Sequence, residues 1–246
     1  MIVKDIMTTK LVTIKGDDTL SHAANLLRQY QFHHLPVVRS VKKPGAQPYD
    51  YGAQNTLPLL EGLLTAQDID LAVALAKHDS SSASLHQPWQ EKRVKEVMHR
   101  ATIRVTPTTN VAAAAQILVE RGLNCLPVVE YENVEDEIET VLVGLLTRSD
   151  LLMALARSMG AFEPGMELTI ALPFGDLTPL ARTLLLAKEL HVPVRSVMAA
   201  PLEGSVPQDA TLRLGTINPS PLLVRLQEAD IAYTYADPLM EGQSHA

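Results

Sequence analysis

One supersecondary pattern occurs twice in this chain, in register. Val3-Lys4-Asp5-Ile6-Met7 returns as Val94-Lys95-Glu96-Val97-Met98, and Leu35-Pro36-Val37-Val38 returns as Leu126-Pro127-Val128-Val129, both at a spacing of 91 residues. Each copy closes on a shared signature, Gly62-Leu63-Leu64-Thr65-Ala66-Gln67-Asp68 and Gly144-Leu145-Leu146-Thr147-Arg148-Ser149-Asp150. The closing signatures are only 82 residues apart, so the first copy carries nine extra residues ahead of its closing strand. A duplicated unit ending in a hydroxyl and a carboxylate predicts a pseudo-symmetric module with clefts between its halves. It does not suggest a single asymmetric active site.

Periodicity assigns the elements. In the first copy, residues 11–14 read as a short strand, and Gly16, Asp17 and Asp18 as a turn with Asp18 as N-cap. Leu20, Ala23, Ala24 and Leu27 form a helical stripe. Residues 35–38 are a buried strand that carries its proline where no central ladder bond is lost. A loop at 39–57, a strand at 59–64 and a helix at 68–76 complete the copy. The second copy repeats the order: strand 102–105, a turn and cap at Pro107 to Thr109, a stripe of Val111, Ala114, Ala115 and Leu118, and strand 127–129. An acidic loop at 130–140, a strand at 141–146 and a helix at 149–157 follow. The predicted organisation is repeat one at 1–78, a Ser-rich linker at 79–93, repeat two at 94–159, a third domain at 166–237 and a tail at 238–246. The third domain reads β-α-β-β-α-β, the order of a ferredoxin-like layer, so the chain as a whole is expected to be mixed α/β (α+β).

Composition narrows the function classes. A net charge of −7 and a pI near 5.6 argue against nucleic acid or an anionic membrane as principal partner. The single cysteine, Cys125, permits no intrachain disulfide and suits a reducing compartment. The first ten residues hold no apolar run of leader length, and no window reaches a membrane span of ~18–20 apolar residues, so a cytoplasmic location is expected. Walker, G-x-G-x-x-G, G-x-S-x-G and H-E-x-x-H motifs are absent, so no enzyme activity and no cofactor are expected.

The V-K-x-[IV]-M opening, the L-P-V-V strand and the G-L-L-T-x-x-D closing, repeated in order, resemble the CBS (cystathionine β-synthase) domain. Two in tandem look like the pair called a Bateman module, over residues 1–157. The third domain is similar to an ACT domain, and a CBS pair followed by an ACT-like domain resembles bacterial proteins of the acetoin-utilisation type. The resemblance implies two clefts about a pseudo-two-fold axis, each suited to AMP, ADP, ATP or a related adenosyl compound. One cleft would set Thr147, Ser149 and Asp150 against Met7, Val12, His33 and His34. The other would set Thr65, Gln67 and Asp68 against Met98, Ile103, Asn124 and Cys125. It also implies a homodimer formed through the helices after the repeats, with apolar faces from Ala72, Val73 and Ala76 and from Leu152, Leu155 and Ala156. The regulated partner would act in trans.

Residue chemistry agrees with the implied roles. A carboxylate accepts both hydrogens of a vicinal diol. Hydroxyls at a helix start lie beside unpaired backbone N–H groups that welcome an anion. His33-His34 can donate to phosphate, more strongly when protonated, whereas Asn124-Cys125 supplies no cation. The Asp150 cleft is therefore the expected occupied one. Competing readings remain: Asp68 and Asp150 as helix caps, Met7 and Met98 as core, Cys125 as a small buried hydrophobe, and the clefts as empty features of a structural homodimer. Adjacent histidines on an extended segment point opposite ways, so no metal site is expected. In the ACT-like segment, the glycine of the effector-binding loop aligns with Pro179, which has no N–H. Amino-acid sensing there is the remaining alternative.

Overall fold

The computed structural model describes residues 1–43, 55–79, 88–134, 137–201 and 206–236. Most of the expected Ser-rich linker, the tail and the tip of the 39–57 loop lie outside those residues. The chain divides into two compact units, Met1–Leu151 and Leu152–Ala246.

In the first unit, α1 (Leu20–Tyr30), β1 (His34–Lys42), β2 (Thr56–Thr65) and α2 (Ala66–Asp79) form one half. The elements α3 (Val111–Glu120), β3 (Cys125–Val134) and β4 (Glu137–Thr147) form the other, in which α4 (Arg148–Ser158) begins. The four strands make one antiparallel sheet in the order β1-β2-β4-β3, joined at its centre by Leu59 opposite Val141. Pro36 and Pro127 lie on the two edge strands, where a missing N–H costs no ladder bond. The copies match in detail. His34 pairs with Thr65 and Cys125 with Thr147, and each hairpin carries a bulge at the same place, Val37/Val38 and Val128/Val129.

The openings of the repeats are exchanged. Val3 is fully buried in the second repeat's core with Val105, Leu118, Leu126 and Leu146. Val94 is fully buried in the first repeat's core with Ile14, Leu20, Leu35 and Leu64. Backbone pairing locks the exchange: Val3 N–H donates to Thr109 O at 2.9 Å, and Val94 N–H to Asp18 O at 2.9 Å. Further along each opening, Thr8 pairs with Leu145 and His99 with Leu63. Gly144 and Gly62 lie under these crossings. A Cβ on Gly62 would come 2.5 Å from His99 O, and one on Gly144 2.6 Å from Met7 Sδ.

Several expected elements are corrected. Residues 11–14 and 102–105 are not strands: each contributes one parallel bridge, Ile14 to Val37 and Val105 to Val128. A single buried residue is anchored there, too short a contact to build a ladder. The N-caps are Thr19 and Asn110, whose side chains accept from His22 N–H and Ala112 N–H, while Asp18 instead accepts from Lys15 N–H. In the acidic segment 130–140 the described residues, 130–134 and 137–140, are not a loop but the outer parts of β3 and β4. Glu130, Tyr131 and Glu137 face solvent from a paired backbone and Glu139 meets Arg39 at 3.0 Å, while Val134 and Val141 pack against Leu57 and Leu59. Ala72 is buried in the first repeat's core, and the large apolar side chains that α2 exposes are Leu71 and Leu75.

The second unit has β5 (Met166–Ala171), α5 (Thr178–Glu189), β6 (Val194–Met198), β7 (Asp209–Leu214), α6 (Ser220–Glu228) and β8 (Tyr233–Ala236). Its antiparallel sheet runs β6-β7-β5-β8, the strand order of a βαββαβ layer. Alternation buries Leu168 and Ile170 with Leu212 and Leu214 against Ala187, Leu222 and Leu226. Pro179 sits in the first turn of α5, where its missing N–H leaves no helical bond unmade.

Candidate functional site

Two of the cavities between the halves of the first unit are lined by the threonines of the closing signatures. The larger, about 440 Å³, is lined by Leu11, Val12, His33, His34, Thr147 and Ser149, with Thr8, Lys10, Phe32 and Arg148 completing its polar and aromatic edge. The smaller, about 260 Å³, is lined by Thr65, Ile103, Asn124 and Cys125 together with His99 and Arg100. His34 and Asn124 line both.

The closing signatures place the hydroxyls. In each half the β-strand ends at a threonine and the helix begins at the next residue. The threonine and the aspartate three residues on then form a reciprocal cap. Thr147 N–H and Oγ1–H donate to Asp150 Oδ2 at 2.8 and 2.7 Å, and Asp150 N–H donates to Thr147 Oγ1 at 3.2 Å. Thr65 and Asp68 repeat these three distances. Both carboxylates thus cap their helices through Oδ2 and turn Oδ1 towards the sibling repeat. There they part ways. Asp150 Oδ1 accepts from Thr8 Oγ1 at 3.2 Å, whereas Asp68 Oδ1 lies 2.7 Å from His99 Nε2.

Of the residues expected in the first cleft, Val12, His33, His34, Thr147 and Ser149 come together around one cavity. Asp150 lies behind Thr8 and Thr147, one hydrogen bond from the lining. Met7 packs into the second repeat's core beside Gly144. In the second cleft, Thr65, Ile103, Asn124 and Cys125 share a cavity, while Asp68 is buried behind Thr65 and His99. Met98 packs against the first repeat's core, and Gln67 is exposed on α2 outside the lining.

Electrostatics revise one expectation. Burial, aided by the neighbouring His33, pushes the His34 imidazole below its ordinary range against the opposing pull of Asp68. His34 is therefore a neutral donor or acceptor at neutral pH, and the positive charge at the large cavity comes from Lys10 and Arg148. The Arg148 Nε–H donates to Leu123 O at 2.8 Å, which fixes the guanidinium at the rim. These cations, and Arg100 in the smaller cavity, escaped sequence reasoning. Their signal was position: Lys10 and Arg100 lie three and two residues beyond the two openings, and Arg148 sits inside a closing signature. Burial also pushes the Cys125 thiol up to about 11, so it stays protonated.

A family model for the CBS domain matches residues 3–44 and 94–157. Each of the two repeats is matched by the CBS domain model. The match covers both exchanged openings and both proline strands. The CBS domain-containing protein YhcV of Bacillus subtilis is 26% identical over 149 residues, covering 61% of this chain and 81% of that protein. The L-aspartate semialdehyde sulfurtransferase of Methanosarcina acetivorans is 28% identical over 156 residues, 63% of this chain but only 24% of the enzyme. Among solved structures, an acetoin utilization protein (AcuB) from Vibrio cholerae is 26% identical, with a TM-score of 0.46 over 67% of this chain and 98% of that one. CBSX2 in complex with AMP is 22% identical, with a TM-score of 0.44 over 63% of this chain and 96% of that one. Among the described residues, no helix is long and apolar enough to cross a membrane.

Proposed function

We propose that the CBS pair is the sensing element of a non-catalytic regulatory protein, and that its ligand is an adenosine nucleotide or a related adenosyl compound. The observation that carries this reading is the cavity of about 440 Å³ between the two repeats. Pockets for small ligands run from ~300 to 1,000 Å³, a range this cavity enters and the second, at about 260 Å³, falls short of. Leu11 and Val12 give a flat base an apolar wall. Thr147 and Ser149, with Asp150 behind them, suit a ribose diol, because a carboxylate accepts where a diol donates. Lys10 and Arg148, both on the cavity lining, suit a phosphate.

The remaining parts of the reading concern the assembly. The C-terminal layer acts as an ACT-like relay or dimerisation domain. Two copies associate through helices such as α2, which leaves Leu71 and Leu75 61% and 54% exposed. The regulated protein acts in trans in the cytoplasm.

Calorimetric titration with AMP, ATP and S-adenosylmethionine tests the ligand. Asp150→Ala removes hydrogen bonds to a charged group worth ~1.5–3 kcal/mol each, so affinity should fall at least ~10-fold. A folded Asp150→Ala protein that binds as tightly as wild type would overturn the assignment. Binding of none of the three by wild type would overturn the ligand class.

A further inference from the structure

Positions 8 and 99 are equivalent, 91 residues apart, and they face equivalent carboxylates. Their backbones are held alike. Thr8 exchanges two hydrogen bonds with Leu145, both 2.9 Å, and His99 exchanges two with Leu63 at 2.8 and 2.9 Å. Only the side chains differ, and the two clefts differ with them. Thr8 is short and meets Asp150 Oδ1 at 3.2 Å, long for a hydroxyl donating to a carboxylate, whose usual range is ~2.5–2.7 Å. That oxygen retains acceptor capacity. His99 reaches further and sits 2.7 Å from Asp68 Oδ1. With Oδ2 of Asp68 already taken by Thr65 N–H and Oγ1–H, both oxygens of this carboxylate are engaged within the protein. The imidazole stands on the outer side of the pair: its side chain is 73% exposed and that of Asp68 10%. The cavity at this cleft is the smaller of the two, and His99 is part of its wall.

We infer that residue 99 decides whether the second cleft admits a ligand. His99 occupies the acceptor that a ribose hydroxyl would use and narrows the cleft, so the module takes a single nucleotide, at the Asp150 cleft. Position 8, as threonine, leaves that cleft open. This rests on the nucleotide reading above. It goes further by naming the side chain that makes two duplicated clefts unequal and by fixing the stoichiometry at one.

The test exchanges the side chain for its counterpart. His99→Thr preserves the backbone pairing and reproduces the Thr8 environment, so the protein should fold as wild type. Calorimetric titration with AMP should give one site per chain for wild type and two for His99→Thr. The double variant His99→Thr/Asp150→Ala should return to one, now dependent on Asp68. Two sites in wild type, or one site in both wild type and His99→Thr, would overturn the inference while leaving nucleotide sensing intact. AMP binding to neither protein would overturn this inference, and failure of ATP and S-adenosylmethionine as well would overturn the parent reading. A ligand-independent readout accompanies the titration. The ring nitrogen and proton resonances of His99 should move on Asp68→Asn, and their indifference would also count against the contact.

Discussion

Substituting Gly62 by alanine should disrupt the crossing of the repeats more than any other single added methyl group in the closing signatures. The added Cβ would stand 2.5 Å from the carbonyl oxygen of His99 and 3.0 Å from Met98 Sδ, and real Cβ atoms essentially never approach below 3.0 Å. The obstacle is backbone, and that carbonyl accepts the 2.8 Å hydrogen bond from Leu63 N–H. Relief requires the opening of repeat two to lift off β2. Overpacking costs ~1–3 kcal/mol. Weakening the Leu63–His99 pair adds about 1–2 kcal/mol for two backbone bonds. Lower chain entropy in the unfolded state returns ~0.4–1 kcal/mol. The net loss is about 2–4 kcal/mol. Gly144→Ala meets Met7 Sδ at 2.6 Å, the mobile part of a flexible side chain, and Thr8 O at a milder 3.2 Å, so its loss should be smaller. Urea unfolding followed by the fluorescence of Trp89, the sole tryptophan and a neighbour of the first repeat's core, reads this unit directly. With a urea slope of ~2 kcal/mol/M, Gly62→Ala should lower the midpoint by about 1–2 M. A midpoint at or above that of wild type, or a larger loss for Gly144→Ala, would refute the crossing as the reason for these glycines.

Two further outcomes are expected. Because His34 has its imidazole pKa lowered by burial, the unfolded chain binds more protons than the native one as pH falls below the unfolded value of ~6.5. Its contribution is complete above that value and is lost as pH drops towards the folded pKa. Urea midpoints should therefore fall more steeply from pH 7 to pH 5.5 in wild type than in His34→Gln, and equal slopes would contradict the burial argument. Cys125, 4% exposed with its thiol pushed up to about 11, should react with a thiol reagent at pH 8 at least ~10-fold more slowly in the native protein than in urea.

The repeat register carried most of the first unit's architecture. A spacing of 91 residues placed Leu35 with Leu126, and these hold equivalent places in their hairpins, opposite Leu64 and Leu146. The alternation of Leu168, Ile170, Leu212 and Leu214 likewise exposed the second sheet, because a half-buried strand writes its inner face every second residue. What escaped had tertiary causes. Ile14 and Val105 are β-prone, yet each is fixed by one bridge to a distant strand, and no local pattern distinguishes an anchor from a ladder. Residues 130–134 and 137–140 look like a loop by charge, but their strands form because the backbone pairs outwards from the buried Val129 and Leu142. Within the site, hydroxyls and carboxylates were visible in the closing signature because a cap binds its own helix. Lys10, Arg100 and His99 were not, since their meaning depends on an exchange between halves that leaves no periodic trace.

That exchange has an evolutionary and practical corollary. A protein made of one half alone would display an unfilled slot where the sibling's valine belongs, and the simplest way to fill it is with a second copy of itself. Such an ancestral pair would have been obliged to keep both grooves identical and would have come apart on dilution. Tethering the halves in one polypeptide frees the assembly from concentration. It also lets mutation reach one groove without touching the other, which is the freedom that Thr8 and His99 now record.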